Sequence, residues 1–565
     1  MTVHIEKPVR PAAPPFRERR GQSVAPAIRL AHIVSVSGSH AVAVIERQEA
    51  VADEARVQIG ALVKIITPMS AVMGVISAIS APMPAAEGEP QPMGLVEINL
   101  AGEVAPDHNR RLTFRRGVST LPTLGDAVLL ADRHDLTRVY APPQAASIKI
   151  GSLFQDDSVP ARLLMDELLA KHFLIVGSTG SGKSSAVTCI LQRLLSEHGH
   201  AHVMILDIHN EYSAAFGGLV EPINLDNFSL PFWMLDFAEM TAALVSRDTH
   251  FDAEVEILAD AVVHAKRRYS ESVTARSGTL RRSDNSHNHM VITVDTPTPF
   301  RMSDVMSWLD EQLGRLERTQ FLLPYRRLKA RIESLATDQR YNFMFGSLSV
   351  QDTMSDVLAR LFRVPGEGRP ISVIDLSTVP PEILDVVISV ISRLAFDLAV
   401  WSKGGLPMLL VCEEAHRYAP AADTKFMPTR QALSRIAKEG RKYGLSLALV
   451  TQRPCELDST IFSQCGTAIC LRLSSERDQE VIRGSTYEGM IDLVDFLPLL
   501  GDREAIVLGQ GVCMPMRVRF DELGKRGVPR NMHVAFSKAW KTPNMDREGL
   551  EELVARWRRA GRERT

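Results

Sequence analysis

The sequence lacks the features of a secreted, zinc-binding or membrane-spanning protein. Its six cysteines form no Cys-x-x-Cys pair, and several lie in apolar runs, where a thiol behaves as a small hydrophobic group. No run reaches the roughly 18 uninterrupted apolar residues of a membrane helix, because the longest candidate, 383–401, carries Asp385, Arg393 and Asp397. The first 26 residues lack the apolar segment of a signal peptide. These absences predict a cytoplasmic protein without a membrane span or a structural zinc.

A strong excess of charge of either sign is also absent. The 65 Lys and Arg residues nearly balance the 67 Asp and Glu residues, which leaves a net charge of -2. This balance excludes a uniformly basic nucleic-acid coating protein, although a basic channel can lie within a neutral chain. The hydrophobic content of 45% is sufficient to build cores. At about 150 residues per domain, the 565 residues allow about four domain-sized units.

The first part of the chain changes character twice. Residues 1–26 are rich in Pro and Arg, which predicts a flexible arm. Residues 27–141 contain many short Val- and Ile-rich runs separated by Gly, Pro and Ser, a pattern typical of an antiparallel β-structure. We expect a small β-barrel there, with a generic β-sandwich as the alternative.

The rest of the chain has the pattern of an α/β fold. From residue 142, short apolar runs alternate with helical stretches, as in a doubly wound parallel sheet covered on both faces. Among the runs expected to form parallel strands are HFLIVG, HVMILDIH, LSLALVTQ, TAICLRL and EAIVLGQ. We assign 142–212 and 371–520 to this core. Residues 213–370 are too long for a loop and predict an inserted helical subdomain. Residues 521–565 form a C-terminal extension in this division.

The strongest motif is a glycine-rich stretch between the apolar run FLIV and the helical run SAVTCILQRLL. Glycines there allow successive backbone N–H groups to point at phosphate oxygens, and the helix N-terminus adds a partial positive charge. Lys183 would neutralise the β- and γ-phosphates of a nucleotide such as ATP, and Ser184 would ligate Mg²⁺. The predicted nucleotide-binding residues are Gly177, Ser178, Thr179, Gly180, Ser181, Gly182, Lys183, Ser184 and Ser185.

A second motif places two carboxylates at the end of the apolar run MLLVC. Parallel strands deliver their carboxyl ends to the same edge of a sheet, where ligands of open α/β sheets bind. We expect Glu413 to belong to the Mg²⁺ shell and Glu414 to orient and deprotonate the attacking water. The alternative is a pair of acidic residues in a solvated turn.

Two further strand ends carry polar groups. Gln452 follows LSLALVT, and its amide could donate to the γ-phosphate while accepting from the water. Asp207 ends the run HVMILD, where it could polarise the water or hold a catalytic neighbour. For Asp207, a structural role in a turn or a helix cap is an equal alternative.

Together these segments resemble one family. The set GSTGSGKSS, ILDIHNEYS, LLVCEEAHRYAP, EGRKYG and TQRP, with SLPFWMLDF and DQRYNFMF, is similar to the bacterial HerA type of the HerA/FtsK superfamily. The likeness extends from about Ala27 to Phe520. Two departures are Glu413, where Asp is usual, and Asn210, where Gly is usual.

The resemblance implies a RecA-like P-loop core with an N-terminal β-barrel. It also implies a homohexameric ring that hydrolyses ATP with Mg²⁺ while moving along double-stranded DNA. Such a motor works with a partner nuclease or another effector, for example an NAD-consuming enzyme, and the expected settings are antiviral defence or DNA end processing.

A ring would also give Arg441 a role. It ends the helix before LSLALVTQ, and in a head-to-tail ring it would reach the neighbouring subunit's ATP as an arginine finger. Lys442 is the alternative finger. The structural alternative is a helix C-terminus at which cations favour the dipole.

Two basic runs could line a DNA channel, although a solvated helix face is the commoner role of such runs. Their cations are Lys266, Arg267, Arg268, Arg276, Arg281, Arg282, Arg326, Arg327, Lys329 and Arg331. Two other functions remain open: an ATP-dependent ring scaffold that arrays an effector, and a protein-moving ATPase of the same superfamily. Intact Glu414 and Gln452 favour turnover, and the lack of a membrane span disfavours the secretion-type motor.

Overall fold

The computed structural model describes most of the chain. The described residues are 29–45, 58–80, 94–140, 146–245, 250–276, 291–315, 319–346, 350–421, 428–485, 488–524, 527–529, 537, 540–541 and 546–562. The predicted flexible arm, 1–26, lies outside them. Two compact units make up the chain. The first unit is Met1–Leu168, Ile175–Arg193 and Gly466–Glu522, and the second is Leu169–Leu174, Leu194–Cys465 and Leu523–Thr565.

Eighteen strands are found in the described residues. They are β1 (Arg29–Ser37), β2 (His40–Ile45), β3 (Leu62–Ile66), β4 (Ala71–Ser80), β5 (Leu95–Pro106), β6 (Leu112–Arg116), β7 (Ala127–Leu130), β8 (Ser147–Leu153), β9 (Pro160–Leu164), β10 (Phe173–Val176), β11 (His202–Asp207), β12 (Val220–Ile223), β13 (Ile371–Asp375), β14 (Met408–Cys412), β15 (Leu445–Thr451), β16 (Thr467–Cys470), β17 (Glu504–Gly509) and β18 (Met516–Phe520).

Fourteen α-helices are found in the same residues. They are α1 (Arg133–Tyr140), α2 (Met165–Ala170), α3 (Lys183–Glu197), α4 (Phe237–Leu244), α5 (Phe251–Arg276), α6 (Met302–Arg315), α7 (Thr319–Thr337), α8 (Asn342–Phe345), α9 (Met354–Phe362), α10 (Pro381–Trp401), α11 (Pro428–Glu439), α12 (Ser459–Phe462), α13 (Glu476–Ser485) and α14 (Arg547–Arg562). Short 3₁₀ segments are Gly217–Leu219, Phe232–Met234, Gln339–Tyr341, Ala415–Arg417, Gly440–Tyr443, Pro454–Glu456 and Glu488–Leu499. Among these helices, none is both long and apolar enough to cross a membrane.

The first unit contains a closed barrel, as predicted. The strands follow the order β2-β1-β7-β3-β4-β5-β6, and β2 also pairs with β5, so six strands form a ring to which β6 is added. Alternate small apolar side chains fill the interior, among them Ala31, Val63, Ile65 and Val128. The closing pair runs antiparallel from His40 opposite Asn99 to Val44 opposite Leu95. Closure removes the sheet edges that a sandwich would leave.

The first unit also contains five strands of the core, and here one prediction is wrong. The runs forming β16 and β17 were expected as parallel strands, but β17 is antiparallel to β16 and to β18. The reason is the short connection between β17 and β18, because strands joined by a tight turn can pair only in the antiparallel direction. β18 continues to β8 and β8 to β9, again antiparallel.

The second unit contains the parallel sheet. Its strands follow the order β12-β13-β11-β14-β15, and every pair among them is parallel. Buried aliphatic residues make up β14 and most of β11, as expected for strands covered on both faces. The fold class is therefore confirmed as an α/β P-loop core with a β-barrel and inserted helices. The carboxyl ends of β11, β13, β14 and β15 meet at one edge.

The inserted helices α4–α9 lie between β12 and β13. β12 falls inside the range predicted as insertion, yet it pairs with β13 in the sheet. Its sequence, VEPI, contains a proline, which an edge strand tolerates and which hides a strand from pattern analysis. The exact domain boundaries stay a prediction.

Candidate nucleotide site

The glycine-rich motif forms the turn between β10 and α3, in the first unit. Gly180 and Gly182 have φ values of +77° and +99°, which side chains rarely adopt. A Cβ at Gly177 would overlap the hydroxyl of Ser181 and lie 2.9 Å from the Cβ of Leu471. The turn therefore needs glycine at all three positions, and α3 begins directly after it at Lys183.

Two polar side chains are held inside this turn. Lys183 is only 8% exposed, and its Nζ donates to the carbonyl oxygens of Gly177 and Ser178 at 3.1 and 3.4 Å. The hydroxyl of Ser181 is buried without a hydrogen-bond partner among the described residues. A buried cation and an unpaired hydroxyl beside a helix N-terminus make a cradle suited to phosphate.

The start of the turn is fixed by the residues that follow β16. Leu471 N donates to Val176 O at 2.8 Å, and Ser178 N donates to Arg472 O at 2.9 Å. Leu471 also lies beside Gly177 and Gly182. The loop is thus supported by backbone bonds and by one aliphatic side chain.

In the second unit, the carboxylate pair follows β14 and is buried. Glu413 is 2% exposed and Glu414 is 5% exposed, which contradicts the alternative of a solvated turn. The hydroxyl of Tyr212 donates to Glu413 Oε2 at 2.6 Å. The hydroxyl of Tyr418 donates to the backbone oxygen of Glu413 at 2.7 Å. These two bonds fix both the side chain and the backbone of Glu413.

Glu414 has an unusual backbone. Its φ of 50° and ψ of 45° lie in the left-handed region, which costs a residue with a Cβ about 1 kcal/mol or more. Its Oε2 is buried without a hydrogen bond to the described residues, and the Nδ1 of His416 lies 3.3 Å away. A strained residue with an available carboxylate oxygen is a typical feature of a reactive site.

Asp207 is completely buried at the end of β11, and its carboxylate is used locally. Its oxygens accept from the backbone N–H groups of His209 and Tyr212 at 3.2 and 3.0 Å. Burial raises its pKa, and Asp375, directly opposite on β13, adds to the effect. This geometry favours the turn role over a catalytic one.

Gln452 follows β15 at the same edge of the sheet. Because Cys412 of β14 is opposite Leu449 of β15, the residues after each strand reach this edge together. Glu413, Glu414 and Gln452 are therefore brought together, as the sequence predicted.

Arg441 lies at the other edge. It belongs to the 3₁₀ segment Gly440–Tyr443, which precedes β15, and Gly444 O accepts from Met408 N at the beginning of β14. Seven residues of β15 separate this edge from Gln452, about 20 Å of strand. Arg441 and Lys442 are exposed, and neither side chain has a polar partner among the described residues. Neither can reach the carboxylates of its own unit.

Several cations of the basic runs have structural roles. Lys266 is 1% exposed and donates to the carbonyl oxygens of Val294 and Thr296 at 2.6 and 2.7 Å, and burial lowers its pKa to about 8. It therefore cannot line a channel. Ion pairs in these runs include Arg268 with Asp304, Arg327 with Glu254 and Lys329 with Asp310. Arg281 and Arg282 lie outside the described residues.

Comparison with known proteins indicates the family that this chain resembles. Residues 148–395 match the family model described as "Helicase HerA, central domain". The chain is a P-loop ATPase, and these residues are similar to the central domain of HerA helicases.

Two similar proteins are named DNA double-strand break repair helicase HerA. The protein of Pyrococcus furiosus is 25% identical over 420 residues, which are 67% of this chain and 71% of that protein. The protein of Saccharolobus solfataricus is 28% identical over 408 residues, 71% of this chain and 73% of that protein. Among solved structures, VirB4 of Thermoanaerobacter pseudethanolicus gives a TM-score of 0.45 at 16% identity, covering 67% of this chain and 98% of that one.

The residues of this ATPase fit ATP and Mg²⁺ as its substrate and metal. The buried Lys183 and the unpaired hydroxyl of Ser181 suit phosphate oxygens. In the first unit, the Ser184 hydroxyl directly follows Lys183 and is a hard oxygen donor of the kind that Mg²⁺ prefers. In the second unit, the Glu413 carboxylate is another donor of this kind. Mg²⁺, when bound, neutralises charge on the phosphates.

Three further residues contact the candidate site residues, and no sequence motif pointed to them. Tyr212 contacts Glu413, and His416 contacts Glu414. The hydroxyl of Thr451 shares a hydrogen bond with Nδ1 of His416. Tyr212 lies 201 positions from Glu413 in sequence, so no local pattern connects them. His416 stands inside LLVCEEAHRYAP, and its position two residues after Glu414 was an available signal.

Proposed function

We propose that this ATPase is an ATP-driven translocase or helicase that acts on double-stranded DNA as a homohexameric ring. The HerA-named relatives of Pyrococcus furiosus and Saccharolobus solfataricus support the DNA substrate, since each is aligned over about two thirds or more of both chains. The proposed chemistry assigns the phosphates to Lys183 and the P-loop, the metal to Ser184 and Glu413, and the general base to Glu414. Gln452 would sense the γ-phosphate.

The observation that best supports a ring assembly is the position of Arg441. It is exposed and lies about 20 Å from the catalytic edge of its own sheet. A finger so placed can serve only another subunit. A head-to-tail ring places a cation of each subunit at the nucleotide of its neighbour, which supports the assignment.

The proposal includes a partner. We infer that a nuclease or an NAD-consuming effector works with the ring in the cytoplasm, in antiviral defence or DNA end processing. The second candidate function is an ATP-dependent scaffold that arrays this effector without processive movement. The buried Glu414, with an oxygen available to a water, favours turnover over a purely structural use of ATP.

The test is the ATPase rate with and without double-stranded DNA across a salt series. DNA should raise the rate several-fold at low salt, and the effect should fall as salt rises, because phosphate contacts release counterions. Single-stranded DNA of the same length serves as the control. A rate that is independent of DNA at every salt concentration would favour the scaffold.

A movement assay separates the two functions further. Displacement of a triplex-forming strand from duplex DNA measures translocation without unwinding. ATP-dependent displacement is expected from the wild-type chain and none from Glu414→Gln. Hydrolysis stimulated by DNA without displacement would contradict translocation.

A further inference from the structure

The ring of His416 lies between two residues of the catalytic edge. Its Nδ1 is 3.0 Å from the hydroxyl oxygen of Thr451 and 3.3 Å from Glu414 Oε2. The side chain of His416 is 10% exposed and that of Glu414 is 7% exposed. Thr451 is completely buried at the end of β15, directly before Gln452. One nitrogen thus faces groups on two neighbouring strands.

The number of available hydrogen-bond donors limits how Nδ1 of His416 can interact with its neighbours. The hydroxyl oxygen of Thr451 already accepts from Arg453 N at 3.1 Å. A neutral imidazole has one N–H, so Nδ1 is either a donor or a lone pair. A lone pair would face the nearby carboxylate oxygen, which is repulsive, whereas an N–H can donate to Thr451 or to Glu414. The tautomer with hydrogen on Nδ1 is therefore favoured.

Glu414 needs such a contact. Its Oε2 has no hydrogen bond to other described residues, and its left-handed backbone does not by itself determine where the side chain points. A general base must hold its oxygen within hydrogen-bond reach of the water that it deprotonates. Small displacements of a catalytic group reduce the rate strongly.

We propose that His416 is a positioning residue that shares its Nδ1–H between Thr451 and Glu414, holding the carboxylate of Glu414 in register with the end of β15 and hence with Gln452. The proposal rests on the assignment of Glu414 as the general base. It gives His416, the last residue of the segment EEAH, a role in ATP hydrolysis. His416 acts through Glu414 and does not contact the nucleotide.

Steady-state kinetics test the proposal. His416→Ala should lower kcat about 10-fold or more, while KM for ATP and the affinity for a fluorescent ATP analogue change less than about 2-fold, because only the orientation of the base is lost. His416→Asn should recover a large part of kcat, since its side-chain amide can donate from nearly the position of Nδ1. The control is His200→Ala, which removes an exposed histidine and should change neither constant.

A double-mutant cycle identifies the route of the effect. If His416 acts through Glu414, His416→Ala should cause no further loss of kcat in the Glu414→Gln background. Thr451→Val, which removes the hydroxyl and keeps the shape, should lower kcat as His416→Ala does, and the two losses should not add. Equal losses from His416→Ala in both backgrounds would overturn the proposal.

Other outcomes also decide it. A wild-type kcat for His416→Ala contradicts the positioning role. The role is also contradicted if His416→Ala loses both analogue binding and several degrees of Tm, and if His416→Asn restores neither. If Glu414→Gln itself hydrolyses ATP normally, the assignment of the base fails and the inference fails with it. If Glu414→Gln is inactive and His416→Ala is not, the inference fails alone.

Discussion

Tyr212 donates from its hydroxyl to the carboxylate of Glu413 at 2.6 Å, across 201 positions of sequence. The backbone N–H of the same tyrosine donates to Asp207, so the turn after β11 determines where the ring lies. Asp207 therefore acts on Glu413 through Tyr212. The role of the buried Asp207 is then to position Tyr212, and it needs no contact with the nucleotide.

Replacing this tyrosine should weaken the metal site. In Tyr212→Phe, Glu413 loses the donor that orients it, and such losses typically reduce metal affinity about 10-fold or more. The Mg²⁺ concentration that gives half-maximal ATPase activity should rise by that factor, with kcat at saturating Mg²⁺ changed much less. A magnesium titration at fixed ATP measures both quantities.

Tyr418→Phe is the matched control for this experiment. It removes a buried hydroxyl that donates to the backbone oxygen of Glu413 and leaves the carboxylate bond intact. Its half-maximal Mg²⁺ concentration should stay close to that of the wild type. An unchanged magnesium dependence in a folded Tyr212→Phe variant would exclude the metal role of Glu413.

Lys183→Ala should remove tight nucleotide binding. The ammonium group lies inside the glycine turn with little exposure to water, where its charge is weakly screened. Loss of this charge should weaken the affinity for ATP at least about 100-fold, as measured by calorimetry or with a fluorescent analogue. Lys403→Ala, an exposed lysine after α10, is the control and should bind normally.

Glu414→Gln should separate binding from hydrolysis. The amide keeps the shape of the side chain but cannot accept a proton from water, so kcat should fall about 10²- to 10⁴-fold. Binding of ATP should stay within a few-fold of the wild type, because the P-loop is unchanged. Near-normal turnover in this variant would show that another group is the base.

The sequence indicates the parts of the candidate site whose residues are contiguous, and their roles stay predictions. The P-loop needs glycines, Lys183 and Ser184 in one short segment, and the carboxylate pair directly follows a buried strand. Contacts made by folding were not predictable in this way. Lys266 donates to carbonyl groups 28 and 30 positions away, so composition could not distinguish it from an exposed cation of a DNA channel.

Strand direction shows the same limit. The apolar run that forms β17 resembles the runs that form the parallel strands, and β17 is buried on both faces as those strands are. The short hairpin to β18 makes β17 antiparallel to β18, and apolar content carries no information on that connection.

The half-buried Asp385, whose Oδ1 is shielded from solvent, should make stability depend on pH. Burial raises its pKa from 3.8 to about 6, with hydrogen bonds from Thr429 acting in the opposite direction. Between about pH 4 and 6 the folded protein keeps a proton that the unfolded chain has released. Stability from this group is therefore fully present at low pH and is lost as pH rises through about 6, by roughly 3 kcal/mol in total.

Asp385→Asn removes that dependence. The variant should have a higher Tm than the wild type at pH 8 and a smaller advantage at pH 5, measured by scanning calorimetry at matched salt. Asp502→Asn, an exposed carboxylate, should show no such trend. A constant difference in Tm across the pH range would contradict a raised pKa of Asp385 in the folded protein.

Arg441 should act as an arginine finger between subunits. Arg441→Ala should lower the ATPase rate about 10³-fold, because a guanidinium stabilises charge that develops on the γ-phosphoryl group. Lys442→Ala tests the alternative finger in the same segment and should be much less impaired. An Arg441→Ala ring with full activity would exclude the role.

Complementation distinguishes action between subunits from an effect on folding. Mixing Arg441→Ala with Lys183→Ala subunits joins two inactive proteins, one with an intact P-loop and one with an intact finger. In a random equal mixture of head-to-tail rings, about one quarter of the interfaces combine both intact groups. Partial ATPase activity should therefore return once native mass spectrometry shows that subunits have exchanged. A fully exchanged mixture as inactive as its parents would mean either that Arg441 acts elsewhere or that every site must be intact. Doping either mutant into excess wild type separates these two cases, since a ring that needs every site loses activity far more steeply than the mutant fraction rises.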